Sequence, residues 1–211
     1  MSKPLLVTDC DEVLLHMVVP FGEWLAEKKD IDFDLTTGDF ANALRHKHDG
    51  TNVEPAKIWP LLQAFFDTEM HRQKAIDHAV DTVNEISKTA DVVILTNLLD
   101  NRREARAAQL KAVGLDFPVV CNQGGKGDPF VKIIAEYNPS VALFVDDLGN
   151  HHESVGSMAP ETWRLHMVGE PILAPHIKPA RHAHNRIDNW KDALPWIMNC
   201  FEQGGAPEIG A

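Results

Sequence analysis

Basic residues are scarce in this chain: 20 Lys and Arg stand against 31 Asp and Glu, giving a formal net charge of −11. The missing basic footprint disfavours nonspecific binding to nucleic acid or to an anionic membrane, since too few cations are available to neutralise either polyanion. A phosphate can still be bound locally, provided that a metal cation or a placed Lys supports it. Cysteine is equally sparse. Cys10, Cys121 and Cys200 lack CxxC spacing, and their odd number argues against a disulfide framework. No apolar stretch approaches the roughly 20 residues that a membrane-spanning helix needs, and no signal-peptide pattern precedes Leu5. A cytoplasmic protein is therefore expected. Repeats and low-complexity segments are also lacking.

What the chain does hold is enough apolar material for a sizeable core, 44% of its 211 residues. A domain typically has roughly 100–200 residues, so one domain with an insertion, or two small ones, is expected. Short apolar runs recur at Leu5–Thr8, Val92–Leu95, Val119–Cys121 and Val141–Val145, with a weaker one at Trp163–Val168. Continuous runs of Val, Ile and Leu suit strands buried on both faces, as in a parallel sheet. Between them lie helical patterns. Val80, Val83 and Ile86 share one helix face, Asn101 to Val113 ends at Gly114, and Pro129 to Tyr137 carries Phe130, Ile133 and Ile134. Trp190, Leu194 and Ile197 predict a closing helix docked on the sheet. The alternation implies an α/β fold, a doubly wound Rossmann-like parallel sheet.

Residues 16–74 break that alternation. Helical candidates fall around Phe21–Leu25, Phe40–Leu44 and Leu61–Phe66, separated by the turn-like TTGD and GTN. This segment is read as a helical cap inserted after the first strand, with the core formed by residues 1–15 and 75–203 and a disordered tail at 204–211. The stripe Trp59, Leu62, Phe65, Phe66 is read as cap packing, and the basic RHKHDG (Arg45 to Gly50) as a solvated loop. Eleven histidines include the pairs His151–His152 and His182–His184. None has the Cys or Glu partners at the spacing that would make a zinc site a strong reading. His151 or Asn150 could instead orient nearby acids.

Open parallel sheets bind ligands at the carboxyl ends of their strands. There stand Asp9 and Asp11 after the first run, Thr96 and Asn97 after the second, and Asp146 and Asp147 after the fourth. Lys126, in the glycine-rich GGKGDP connection, can reach the same edge and is preferred to Lys132, which sits in a predicted helix. Crowded carboxylates repel unless a cation compensates. Oxygen-only ligands point to a hard cation, and Mg²⁺ favours one or two carboxylates, water and a substrate phosphate. A Thr hydroxyl and a Lys ammonium would be donors to a phosphoryl group.

In order, LLVTDCDEVLL, VVILTN, GKGDP and ALFVDD resemble the four short motifs of the haloacid dehalogenase (HAD)-like hydrolase superfamily. The resemblance covers Leu5 to about Ser154, with the insert in place of that family's helical cap. One motif alone is weak, since DxD occurs by chance; four in order are fairly specific. The resemblance implies a Mg²⁺-dependent phosphatase acting on a small phosphorylated metabolite. Asp9 would be the nucleophile and Asp11 the general acid and base, while Thr96 and Lys126, with Asn97 beside them, would hold the phosphoryl group. Mg²⁺ would sit on Asp9, the Asp11 backbone carbonyl, Asp146 and Asp147, with the direct ligand of the last pair left open. An acid at Asp11 favours phosphomonoester hydrolysis or a phosphomutase over carbon–halogen cleavage. A degenerate member that binds a phospholigand without turnover is a further alternative. A phospho-receiver module fits less well, because its phosphoacceptor lies on a middle strand, where this chain has Thr96. The family commonly has Gly after Asp11, where this chain has Glu12. Glycine permits backbone angles that Glu adopts only at a cost. Cys10, between the acids, is expected to point into the core.

Overall fold

A computed structural model describes residues 2–209. In chain order its main elements are β1 (Leu5–Thr8), α1 (Val18–Lys28), β2 (Ile31–Phe33), β3 (Leu44–His46), α2 (Pro55–Thr68), α3 (Ala79–Ile86), β4 (Asp91–Thr96), α4 (Arg103–Ala112), β5 (Val119–Cys121), α5 (Gly127–Tyr137), β6 (Ala142–Asp146), α6 (Gly149–Met158), β7 (Trp163–His166), β8 (Asn185–Arg186) and α7 (Trp190–Gln203). Six strands form one sheet in the order β5-β4-β1-β6-β7-β8, and every pairing is parallel. β1 lies at the centre, with Thr8 level with Ile94 on one side and Val145 on the other.

Side chains alternate across a strand, so a sheet buried on both faces sends odd and even positions into separate cores. Leu6, Ile94, Leu143, Val145 and Leu165 pack with Val83 and Ile86 of α3 and with Trp190 and Ile197 of α7. Leu5, Val7, Val93, Leu95 and Phe144 face the other way, onto Phe130 and Ile133 of α5 and Val155 of α6. The apolar runs of β1, β4, β6 and β7 therefore read as continuous because neither face meets water, whereas β5, at the sheet edge, is half-buried. No helix among the described residues is long and apolar enough to cross a membrane.

Residues 16–74 form a third apolar cluster around Phe21, Trp24, Leu44, Ile58 and Phe65. The chain enters and leaves this cap through two segments lying side by side: Ile76 N–H donates to Leu14 O and His16 N–H to Lys74 O, both at 2.9 Å. One helical expectation fails here. Phe40–Asn42 is a single 3₁₀ turn, and Leu44–His46 instead pairs antiparallel with Ile31–Phe33. Three-residue strands are too short for an alternating pattern to stand out from a helical one. The two-residue β8 was likewise invisible. The stretch expected to be disordered from Gly204 is hydrogen-bonded: Trp163 Nε1 donates to Gly204 O at 2.7 Å and Ala206 N–H to Glu161 O at 2.8 Å. Residues 210 and 211 of that stretch lie outside the described residues.

Trp190, fully buried on α7, donates its Nε1–H to Val13 O at 2.7 Å and so holds the loop that follows Asp11. Trp190→Phe leaves that carbonyl buried without its donor and should lower the unfolding free energy by about 1–3 kcal/mol. Urea denaturation measures this; an unchanged midpoint would show that the bond does not secure the loop.

Candidate active site

All six strands run the same way, so their carboxyl ends share one edge, and the residues singled out after β1, β4 and β6 meet there. Lys126 precedes α5 and is fully buried. Its Nζ lies 2.7 Å from Asp9 Oδ1 and 2.7 Å from Asp146 Oδ2. Burial alone disfavours the ammonium, but the Asp146 and Asp9 carboxylates outweigh it and raise the Lys126 pKa above its ordinary value. Asp9 also accepts the Cys10 N–H at 2.7 Å. Burial raises the Asp9 carboxyl above the usual range; Lys126 opposes the shift and Asp146 adds to it. Lys132 is exposed. The lysine reaches inward because Gly127 lets α5 press against α6: a Cβ there would stand 2.5 Å from Ser154 O.

Asp9, Asp146 and Asp147 each offer an oxygen within 4.8 Å of the others. An oxygen-only set carrying one lysine against three carboxylates fits a small hard cation. Both Asp146 oxygens already have partners, Lys126 on Oδ2 and Leu148 N–H on Oδ1 at 2.9 Å. Asp147 is half-buried, and burial followed by Asp146, Asp9 and Glu12 pushes its carboxyl well above the usual range. Thr96 ends β4, fully buried, and its Oγ1 has no hydrogen-bond partner among the described residues. Asn97 is tied back instead, donating to Gly124 O at 2.9 Å and accepting from Asn122 Nδ2 at 3.1 Å.

Asp11 stands apart from the metal-competent trio. Arg106 of α4, fully buried, sets Nη2 3.0 Å and 3.1 Å from the two Asp11 oxygens, and Gln73 Nε2 donates to Oδ1 at 2.6 Å. Burial raises the Asp11 carboxyl and Arg106 opposes it. Arg106 also touches Cys10 Sγ at 3.1 Å and lies 5.6 Å from the ring centre of Phe66 in the cap. Cys10 is buried as expected, but against a guanidinium as well as the core.

Glu12 does adopt the backbone conformation that glycine would take freely, with φ 61°. Its interactions compensate. Oε1 accepts the N–H groups of Met17 at 2.6 Å and Val18 at 2.7 Å where α1 begins, and its backbone carbonyl accepts Gly169 N–H at 2.6 Å. Oε2 is buried without a partner among the described residues. Burial, against those two N–H donors, pushes the Glu12 carboxyl up to about 7.

No protein-family model matches the chain, and no curated protein matches it in sequence. Solved structures do match. A haloacid dehalogenase-like family hydrolase from Streptococcus pneumoniae superimposes with a TM-score of 0.64 at 11% identity, covering 92% of this chain and 97% of its own. YfnB of Bacillus subtilis, described as a HAD-hydrolase and bound to magnesium, gives 0.62 at 16% identity over 95% of this chain and 100% of its own. A predicted phosphoglycolate phosphatase from Haemophilus somnus gives 0.62 at 13% identity, with coverage of 92% and 97%. The fold is that of the haloacid dehalogenase-like hydrolases.

Within this HAD-like fold, four positioning side chains escaped the sequence reading. Arg106 and Gln73 hold Asp11. His152 Nε2 lies 3.0 Å from Asp146 O and His166 Nε2 lies 2.8 Å from Asp147 O, so two histidines hold the backbone of the acid pair. His166 Nδ1 accepts from Ala180 N–H at 3.1 Å, which places its proton on Nε2. Burial shifts both rings towards the neutral form, with His152 pushed down to about 3. Of the two residues considered for that task, His151 faces Asn97 Nδ2 at 3.4 Å instead and Asn150 is exposed.

Glu12 provides a pH test. The folded state keeps its proton up to about 7, whereas an ordinary Glu loses it near 4.5. Between those values the unfolded state binds fewer protons, so the Glu12 contribution to stability falls as pH rises. Without divalent cations, Glu12→Gln should gain stability relative to wild type across pH 4.5–7 and show a constant difference below that window. Thermal unfolding of both proteins in parallel checks this; a difference independent of pH contradicts it.

Proposed function

We propose that this chain is a Mg²⁺-dependent phosphomonoesterase that works through an aspartyl-phosphate on Asp9. The observation that supports it most is the buried Lys126 ammonium shared by Asp9 and Asp146, with Asp147 close by. Lys126 favours the ionised form of Asp9 against the burial that raises its pKa, and it holds one of its oxygens, which leaves the other to attack phosphorus. The Thr96 hydroxyl and the Lys126 ammonium face the phosphoryl oxygens as donors. Attack expels the substrate alkoxide, and Asp11 supplies its proton, oriented by Arg106 and Gln73. Asp11 then takes a proton from water as that water releases phosphate from Asp9. Asp9, Asp146 and Asp147 would hold Mg²⁺, which supplies positive charge against the phosphoryl oxygens and relieves the crowding of carboxylates.

The test is phosphate release from p-nitrophenyl phosphate with Mg²⁺, with EDTA, and with Asp9→Asn. Chelation should abolish release, and Asp9→Asn should lower kcat by about 10³-fold or more, the scale for losing a covalent nucleophile. Circular dichroism should show the variant folded. Turnover that survives Asp9→Asn would eliminate the covalent mechanism.

A further inference from the structure

A cavity of about 830 Å³ opens between the carboxylates and the cap. Asp9, Asp11, Glu12 and Asp147 line its floor, and no Lys or Arg lines it among the described residues. Its volume is in the range that accepts a drug-sized ligand and exceeds what a two- or three-carbon ester fills. The walls come from the cap, chiefly Phe33, Phe40, Ile58, Trp59, Leu62 and Phe66. The basic RHKHDG stretch of the cap lies elsewhere and does not line the cavity. Trp59 is 65% exposed, although its stripe read as cap packing, and it stacks on Phe40 at 6.3 Å between ring centres. A large aromatic left open at the rim of an apolar chamber gains free energy only when something covers it.

We infer that the leaving group of the substrate is a bulky apolar alcohol, best an aromatic one, that carries no second anionic group. This deepens the phosphatase reading and rests on it. A carboxylate or second phosphate would enter a chamber whose cap side carries Asp34 and Asp39 and no Lys or Arg among the described residues, while Lys126 and the metal at the floor serve the transferred phosphoryl group. A sugar would bury most of its hydroxyls against aromatic and aliphatic walls, where the cap offers only Asp34, Thr37 and Asp39 as polar side chains among the described residues. An aryl group suits both the walls and the exposed Trp59 face. The same features disfavour a mutase, whose bisphosphate intermediate would need a cationic cradle in the cap.

The test uses primary alkyl esters, so that leaving-group basicity stays similar: 2-phenylethyl phosphate, ethyl phosphate, glucose 6-phosphate and 2-phosphoglycolate. The kcat/KM for 2-phenylethyl phosphate should exceed that for ethyl phosphate by about tenfold or more, as burying part of a phenyl ring implies. Glucose 6-phosphate should be no better than ethyl phosphate, and 2-phosphoglycolate worse. Trp59→Ala should bring the phenylethyl-to-ethyl ratio down towards one. A ratio near one in the wild type, or a preference for 2-phosphoglycolate or glucose 6-phosphate, overturns the inference and leaves the phosphatase reading standing. If no ester is turned over, the phosphatase reading fails instead. Tryptophan fluorescence titrations with 2-phenylethylphosphonate and ethylphosphonate then decide the inference, with tighter binding of the phenylethyl compound supporting it and equal or weaker binding overturning it.

Discussion

Burying an ammonium between two carboxylates is the constraint around which this molecule is arranged. None of Lys126, Asp9 and Asp146 could sit unpaired at the edge of a dry sheet, because desolvating a lone charge costs several kcal/mol. Together they share charge across two 2.7 Å contacts. The parallel sheet puts Asp9 and Asp146 at the ends of adjacent strands, and the close packing of α5 on α6 at Gly127 brings the lysine beneath them. His152 and His166 then fix the carbonyls of the acid pair from behind. Lys126 offsets one of the two carboxylate charges and leaves Asp9 lining the cavity, so the same ion pair shapes both the core and the candidate site.

Around that centre the chain spends stability on geometry. Glu12 holds a left-handed backbone angle and a buried carboxyl oxygen with no partner among the described residues, and in return ties the acid loop to the first turn of the cap. Arg106 links three parts at once: the Asp11 carboxylate, the Cys10 thiol and the Phe66 ring of the cap. Arg102 adds a second tie from the core, donating to Asp67 on α2 at 2.7 Å. The cap is thus anchored by charged residues of the core while its own cluster stays aromatic. Glu12, one of four non-glycine residues with a left-handed backbone angle among the described residues, stands where the two parts meet.

The central sheet was legible because strands covered on both faces carry no polar alternation, and each ends in the polar residues that form the site. The β2–β3 hairpin and β8 were not, since two or three residues give no period. The acids, Thr96 and Lys126 stood at strand ends or in a glycine-rich loop, where position alone signals ligand contact. Arg106, Gln73, His152 and His166 gave no such signal. Arg106 lies in a helix rich in Arg and Ala where a solvent-facing role is the ordinary one, and only the packing of α4 on β5, beside the loop that follows β1, turns it inward. His166 sits inside a strand, and its partner is a backbone carbonyl that no motif encodes. Glu12 was legible as an anomaly, and its compensation by Met17 and Val18 was not.

The most direct measurement of the central claim is the stability of Lys126→Met by urea denaturation, with and without Mg²⁺. Removing one partner of a buried ion pair typically costs about 3–5 kcal/mol, so the metal-free variant should lose roughly that much. Mg²⁺ should restore more of it in the variant than it adds to the wild type, because the cation replaces the missing charge beside Asp9 and Asp146. A metal-free variant as stable as the wild type would contradict the account, since the two carboxylates would then not need the lysine between them.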